Sequence, residues 1–160
     1  ILNTPISLDD VVLAEMLWAG FKALFSVIAI LGVMLALKIS LSPKLILVPP
    51  ILLIAGVTFA SMALVFNAKA RSYDFFTYYF AVLLSPMMFL SGVFFPRTQL
   101  PAFAQAITHW LPLTAAVELV RPLFLNQWPA EAWRHLGILA VCAGVSFWVA
   151  LAFTRQRVRR

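Results

Sequence analysis

Few residues in this 160-residue chain are of a type that does chemistry. The candidate metal ligands are its two histidines, His109 and His135, and its single cysteine, Cys142. Their spacing lacks the close pairs, C-x-x-C or H-x3–5-H, from which structural metal sites are built. Ser91, beside Gly92, is the one serine whose setting suggests a nucleophile, yet a serine acts only with a base within hydrogen-bond reach, and both histidines lie outside the apolar run that holds it. No G-x4-G-K-[ST] phosphate loop occurs, and the six glycines are scattered, so nucleotide has to be bound by another polypeptide. Glu118 and Arg121 stand one turn apart, spaced for an i,i+3 ion pair. The sequence therefore predicts neither a catalytic nor a metal-ligating residue on this chain, and a lone cysteine forms no internal disulfide.

The elements that carry these residues are apolar. Hydrophobic residues make up 63% of the chain and charged residues 11%, against roughly 45–50% and about 25% in soluble domains. This composition is that of an integral membrane protein. Four runs, 16–37, 45–66, 75–95 and 136–153, approach or exceed the roughly 20 residues that a helix needs to cross a bilayer. Lys22 is the single charge inside them, near enough to one end for its long stem to carry the ammonium back to the head groups. Pro49 and Pro50 fall in a first turn, where a missing N–H costs least, whereas Pro86 lies mid-run and predicts a kink. Gly20, Gly32, Gly56 and Gly92 are read as sites of close helix packing.

Charge sets the expected orientation. Lys69 and Arg71 between the second and third runs, and Arg155, Arg157, Arg159 and Arg160 in the tail 154–160, fall on one side of an alternating four-span chain. The positive-inside rule makes that side cytoplasmic and puts Lys38 and Lys44 outside. Topology thus accounts for the net charge of +6. The tail reads as a solvated basic end touching anionic membrane lipid, with no nucleic-acid partner.

Segment 96–135 then lies outside, and it contains two apolar stretches too short to span. Ala102–Leu111 is bounded by Pro101 and Pro112 and shows Phe103, Ile107, Trp110 and Leu111 at helical spacing. Thr114–Leu125 offers a second short helix, which Pro122 should bend or end. The pair either dips into the outer leaflet and returns, where protein covers the intervening loop, or lies on the surface as an amphipathic hairpin. Ser7 to Asp10, "SLDD", is a capping-box pattern that starts a helix, with Asp9 and Asp10 in its first turn. Such a helix shows Leu8, Val11, Val12 and Glu15 on adjoining turns, a small face suited to a partner's groove.

Two stretches, "ARSYDFFTYYFAVLLSPMMFLSGVFFPRTQLP" and "LPLTAAVELVRPLFL", closely resemble the permease of type-2 ATP-binding-cassette (ABC-2) exporters, in particular the branch of the nodulation lipooligosaccharide exporter permease. That resemblance implies an all-α integral membrane fold in which the four runs are spans three to six of a six-span permease, the first two lying outside this sequence. It makes residues 1–15 a cytoplasmic coupling helix docked in an ATPase subunit, through Ser7, Leu8, Asp9, Asp10, Val11, Val12 and Glu15. It makes 96–135 a pair of external re-entrant helices that gate the path, with Pro96, Pro101, Trp110, Pro112, Glu118 and Arg121 as their marker residues.

The aromatic cluster from Tyr73 to Phe80 reads as an interfacial belt. The resemblance adds a second role, in which Phe76, Tyr79, Phe80, Met87 and Phe94 line the path of an amphiphilic substrate. It further implies a non-catalytic permease subunit of an exporter in the cell membrane, the bacterial inner membrane, working by alternating access. Its partners would be a second permease copy and an ATP-binding subunit that holds ATP and Mg. Substrates remain open among lipooligosaccharide, polysaccharide, lipid and drug, and a four-span scaffold or assembly factor that transports nothing is the other reading.

Overall fold

The structure, a computed structural model, describes residues 8–69, 77–94 and 101–158. Helix α1, Leu8–Ala36, begins with Asp9 and Asp10 in its first turn, where the helix dipole favours acids. It continues through Met16 without a break, so the described part of the expected coupling segment runs directly into the first apolar run. Its C-terminus closes in a Schellman turn. Lys38 adopts φ 53°, its N–H donates to Leu35 O, and the N–H of Ile39 donates to Met34 O.

A 3-10 turn, Pro43–Leu47, leads into α2, Val48–Lys69, which carries Pro49 and Pro50 in its first turn as expected. Segment α3, Tyr79–Leu90, is π-helical over Tyr79–Leu84 and α-helical over Ser85–Leu90. The widened turns end two residues before Pro86, and Phe80 O accepts both the Ser85 N–H and the Ser85 hydroxyl. The helix type thus changes just before the proline at which a kink was expected. Then come α4, Ala102–Thr108, α5, Pro112–Phe124, and α6, Ala132–Val158.

Among the described residues three helices are long and apolar enough to cross a membrane: Asp9–Ala36, Pro43–Asn67 and Ala132–Thr154. The third expected run, 75–95, is shorter among the described residues. Its helix stops at Leu90, where Ser91 and Gly92 turn the chain and Gly92 takes φ 81°, a left-handed conformation that glycine adopts without penalty. Toward its N-terminus the helix also includes Thr77 and Tyr78 and then adjoins residues 70–76, which are outside the described residues; with this shorter apolar helix beside the long ones, the all-helical fold is consistent with about four spans.

Helix α2 is the hub, packed along α1, α6 and α5. Gly20 and Gly56 let α1 approach it: a Cβ on Gly56 would lie 2.9 Å from Ala23 Cβ, and one on Gly20 would lie 2.9 Å from Val57 Cγ2. Gly32, expected to serve the same purpose, meets nothing within 4 Å. Between α2 and α6 the fully buried Thr58 hydroxyl lies 2.8 Å from Ile54 O and 3.3 Å from Leu139 O, so a polar atom in an apolar bundle is satisfied across the helix pair. Leu139 and Ala150 are fully buried, whereas Phe25, Val141 and Trp148 are exposed, the outward apolar surface expected of helices solvated by lipid.

Candidate functional site

Helix α5 is the element that a bundle of simple spans would not need. Pro112 closes the preceding turn and occupies the first helical position of α5; α4 begins at the expected Ala102, and the other limits differ from expectation by one to three residues. One face of α5, with Ala115, Ala116, Leu119 and Leu123, is buried. Ala115, Ala116 and Leu119 pack with Ala55 and Leu139. Both of those partners sit seven residues inside α2 and α6, about 10 Å from the ends of those helices. Leu123 packs with Leu45 and Val48 at the start of α2. The helix is therefore packed against both α2 and α6, with its N-terminal half beside residues well inside those helices and its C-terminal end beside the start of α2.

Its C-terminal end is tied down. Pro122 is followed by a Schellman turn, in which Asn126 at φ 56° donates to Leu123 O and the N–H of Gln127 donates to Pro122 O. The Ser40 hydroxyl donates to Phe124 O at 2.8 Å, Lys44 Nζ donates to Asn126 O at 2.8 Å, and the same ammonium lies 4.7 Å from the centroid of Trp128. Trp110, Trp128 and Trp133 are exposed, the pattern of rings seated at a head-group layer.

Glu118 and Arg121 do not form the expected i,i+3 pair. Glu118 Oε2 lies 3.0 Å from Nε2 of His135 on α6, while Arg121 Nη2 donates to the carbonyl of Gly92 just past α3. Each of the two residues meets a neighbouring element. His135 was missed as a site residue because its partner is distant in sequence; the available signal was a histidine at the edge of an apolar run. His109 accepts at Nδ1 from Arg134 Nη2 at 3.2 Å, since a guanidinium only donates. Arg134 also holds Glu131, and this hydrogen bond, with the guanidinium charge, keeps the Glu131 carboxyl below its ordinary range. Among the described residues no group of three or more His, Cys, Asp or Glu is gathered for a metal, and the Ser91 hydroxyl donates to Met88 O.

The other expected residues separate. Tyr79 and Met87 are buried, Tyr79 with its ring 4.5 Å from that of Phe66, while Phe80 and Phe94 are exposed. These four share no single surface. Val12 is 5% exposed within this chain and so is unavailable to a partner's groove, whereas Val11 and Glu15 are exposed. Leu8 starts α1. Ser7, Phe76 and Pro96 lie outside the described residues.

Beside α5 the structure leaves a cavity of about 420 Å³, bounded by Leu52 of α2, Val93, and Leu113, Val117, Val120 and Phe124 of α5, with Arg121 also on its wall. One helix thus presents a packed face to the bundle and a second apolar face to an open space.

This arrangement, long apolar helices with a short amphipathic helix inserted between two of them, defines an integral membrane protein of the transporter type. Residues 1–125 match the family model for the ABC-2 type transporter, and the chain belongs to that family. It is similar to Nodulation protein J of Rhizobium leguminosarum bv. viciae, at 38% identity over 99% of this chain and 61% of the relative. The same protein is 39% identical in Neorhizobium galegae, over 98% of this chain and 60% of the relative, and 36% identical in Bradyrhizobium diazoefficiens, over 100% and 61%. The chain therefore spans about 61% of the length of these curated relatives. No solved structure matches it.

Proposed function

We propose that this chain is part of the membrane permease of an ATP-driven exporter and supplies the last four spans of a six-span subunit. Membership of the ABC-2 family carries the reading, and the insertion of α5 between α2 and α6 supports it. A helix that enters the outer half of the bundle and returns is suited to closing a path. In this reading α4 and α5 form the outer gate, with Pro96, Pro101, Trp110, Pro112, Glu118 and Arg121 shaping and anchoring them. A second permease copy completes the path, and lipid covers the exposed apolar faces.

Energy comes from a cytoplasmic ATP-binding subunit that holds ATP and Mg, and the permease itself catalyses nothing. The start of α1 meets that subunit through the exposed Val11 and Glu15, with Ser7, Leu8, Asp9 and Asp10 at the helix start, so that nucleotide state and gate state are linked through alternating access. The substrate is an amphiphile, of the class that includes lipooligosaccharides, lipid-linked polysaccharides and lipids, and the setting is the bacterial inner membrane.

The test is reconstitution of the complete permease with a phosphate-loop ATPase that copurifies with it. Substrate-stimulated ATP hydrolysis and export should both fall when Asp10 and Glu15 are changed to alanine, while basal hydrolysis by the isolated ATPase is unaltered. A complete permease that never copurifies with an ATPase, yet inserts and folds, would favour a non-transporting scaffold.

A further inference from the structure

The cavity beside α5 has the shape and charge of a binding site. Its wall is apolar except for Arg121, and among the described residues no carboxylate pairs with that guanidinium. Its Nη2 donates to Gly92 O, the residue before Val93, and this contact pins the charge at one edge of the cavity. A carbonyl accepts a hydrogen bond but does not neutralise a cation, and the guanidinium keeps further donors in a planar fork matched to carboxylate or phosphate. Arg121 is itself exposed, so these donors are open to an anion at that end of the cavity.

The positions of the lining residues give the site a direction. Leu113 lies eight residues before Arg121 on the same helix, about 12 Å deeper along its axis, with Val117 and Val120 between them on the same face. An anionic head at Arg121 would therefore lie at the shallow end and its tail would run inward. Volume limits the tail. A cavity of roughly 150 Å³ holds one benzene ring, so 420 Å³ is space for a single long alkyl chain and too little for the two tails of a phospholipid.

We propose that this cavity binds a single-tailed amphiphile by its alkyl chain, with Arg121 holding the anionic head group. The inference deepens the permease reading, on which the word substrate rests, but binding is measured without an ATPase and so fails or stands separately.

The experiment places the chain in neutral detergent micelles and adds dodecyl phosphate bearing a mid-chain diazirine, with labelled residues mapped by mass spectrometry. The same tail on a phosphocholine head and a two-tailed phosphate are run beside it. Labelling at Leu113, Val117 or Val120 should favour the single-tailed phosphate. Arg121→Gln should lower it about tenfold, the change that loss of one charge-assisted hydrogen bond brings, while Arg121→Lys retains most of it. Val117→Trp, which fills the cavity and keeps the charge, should abolish labelling by either head group, and it decides the matter if Arg121→Gln fails to fold. Equal labelling by phosphate and phosphocholine probes, or labelling indifferent to Arg121→Gln, would overturn the head-group assignment. Equal labelling by the two-tailed probe would overturn the single tail, and displacement of the probe by inorganic phosphate alone would make this a free-anion site.

Discussion

Glu118 on α5 and His135 on α6 meet at 3.0 Å in a contact where only 5% of the histidine side chain is exposed. The inserted helix is thus held to a span by a polar bond as well as by Ala115 and Leu119. Glu118→Ala withdraws the partner from His135 Nε2. Leaving a buried polar atom without its bond costs about 1–3 kcal/mol. Thermal unfolding in detergent should show a clear fall for Glu118→Ala and a smaller one for Glu118→Gln, whose amide still reaches the ring. Wild-type stability in both would mean that the contact does not anchor α5.

Gly56 and Gly32 should respond in opposite ways to the same change. Gly56→Ala drives a methyl to within 2.9 Å of Ala23 Cβ, an atom that cannot move without its backbone, and overpacking of this kind costs typically 1–3 kcal/mol. Gly32→Ala meets open space and gains roughly 0.5–1 kcal/mol from the better helix former. Unfolding temperatures of the two variants, measured side by side, should bracket the wild type.

Thr114 is 1% exposed, and its hydroxyl has no hydrogen-bond partner among the described residues. Valine keeps nearly the same shape without the unsatisfied group. Thr114→Val should therefore raise stability by about 1 kcal/mol in the isolated chain. A loss of that size in its place would show that the hydroxyl is bonded when the protein is folded.

The Glu131 carboxyl is held low, first by its hydrogen bond from Arg134 and then by the guanidinium charge. A depressed carboxylate contributes stability above its unfolded-state value and loses it as pH falls through the folded one. That contribution should vanish on the acid side of the ordinary carboxylate range. With Arg134→Gln the carboxyl should titrate nearer its ordinary value, as followed by carbon NMR of labelled glutamate. Because Glu131 is fully exposed, any accompanying change in unfolding temperature should be slight. An unmoved titration would show that Arg134 is not the cause.

How much of this was legible in the sequence depends on range. The apolar runs, Pro49 and Pro50 at a helix start, and the short helices bounded by Pro101 and Pro112 are local patterns, and they are where composition and spacing placed them. Partners across elements were not legible. Glu118 has a local neighbour in Arg121 at good spacing, and nothing local says that His135 and the Gly92 carbonyl compete for these side chains and win. Tyr79 and Phe80 are adjacent letters that face opposite ways once the helix forms, and the π-helical turns before Pro86 shift the register of Met87 and its neighbours. Gly32 looks in sequence like Gly20 and Gly56, but packing is a property of the neighbouring helix, which a single run cannot reveal.

The unbroken helix from Leu8 to Ala36 has a mechanical meaning. Its 29 residues make a rod about 43 Å long, seated on α2 where Gly20 and Ala23 meet Val57 and Gly56 and, further along, where Val27 and Leu31 pack beside Leu45 and Val48. Such a rod carries a tilt from one end to the other. A tilt of only about 5° about Gly20 would displace the Ala36 end by roughly 2 Å, at roughly 1.5 Å of arm per residue. That end leads into Ser40, Ser42 and Lys44, which are bonded to the C-terminal end of α5, so a displacement of Ala36 would be felt beside that helix.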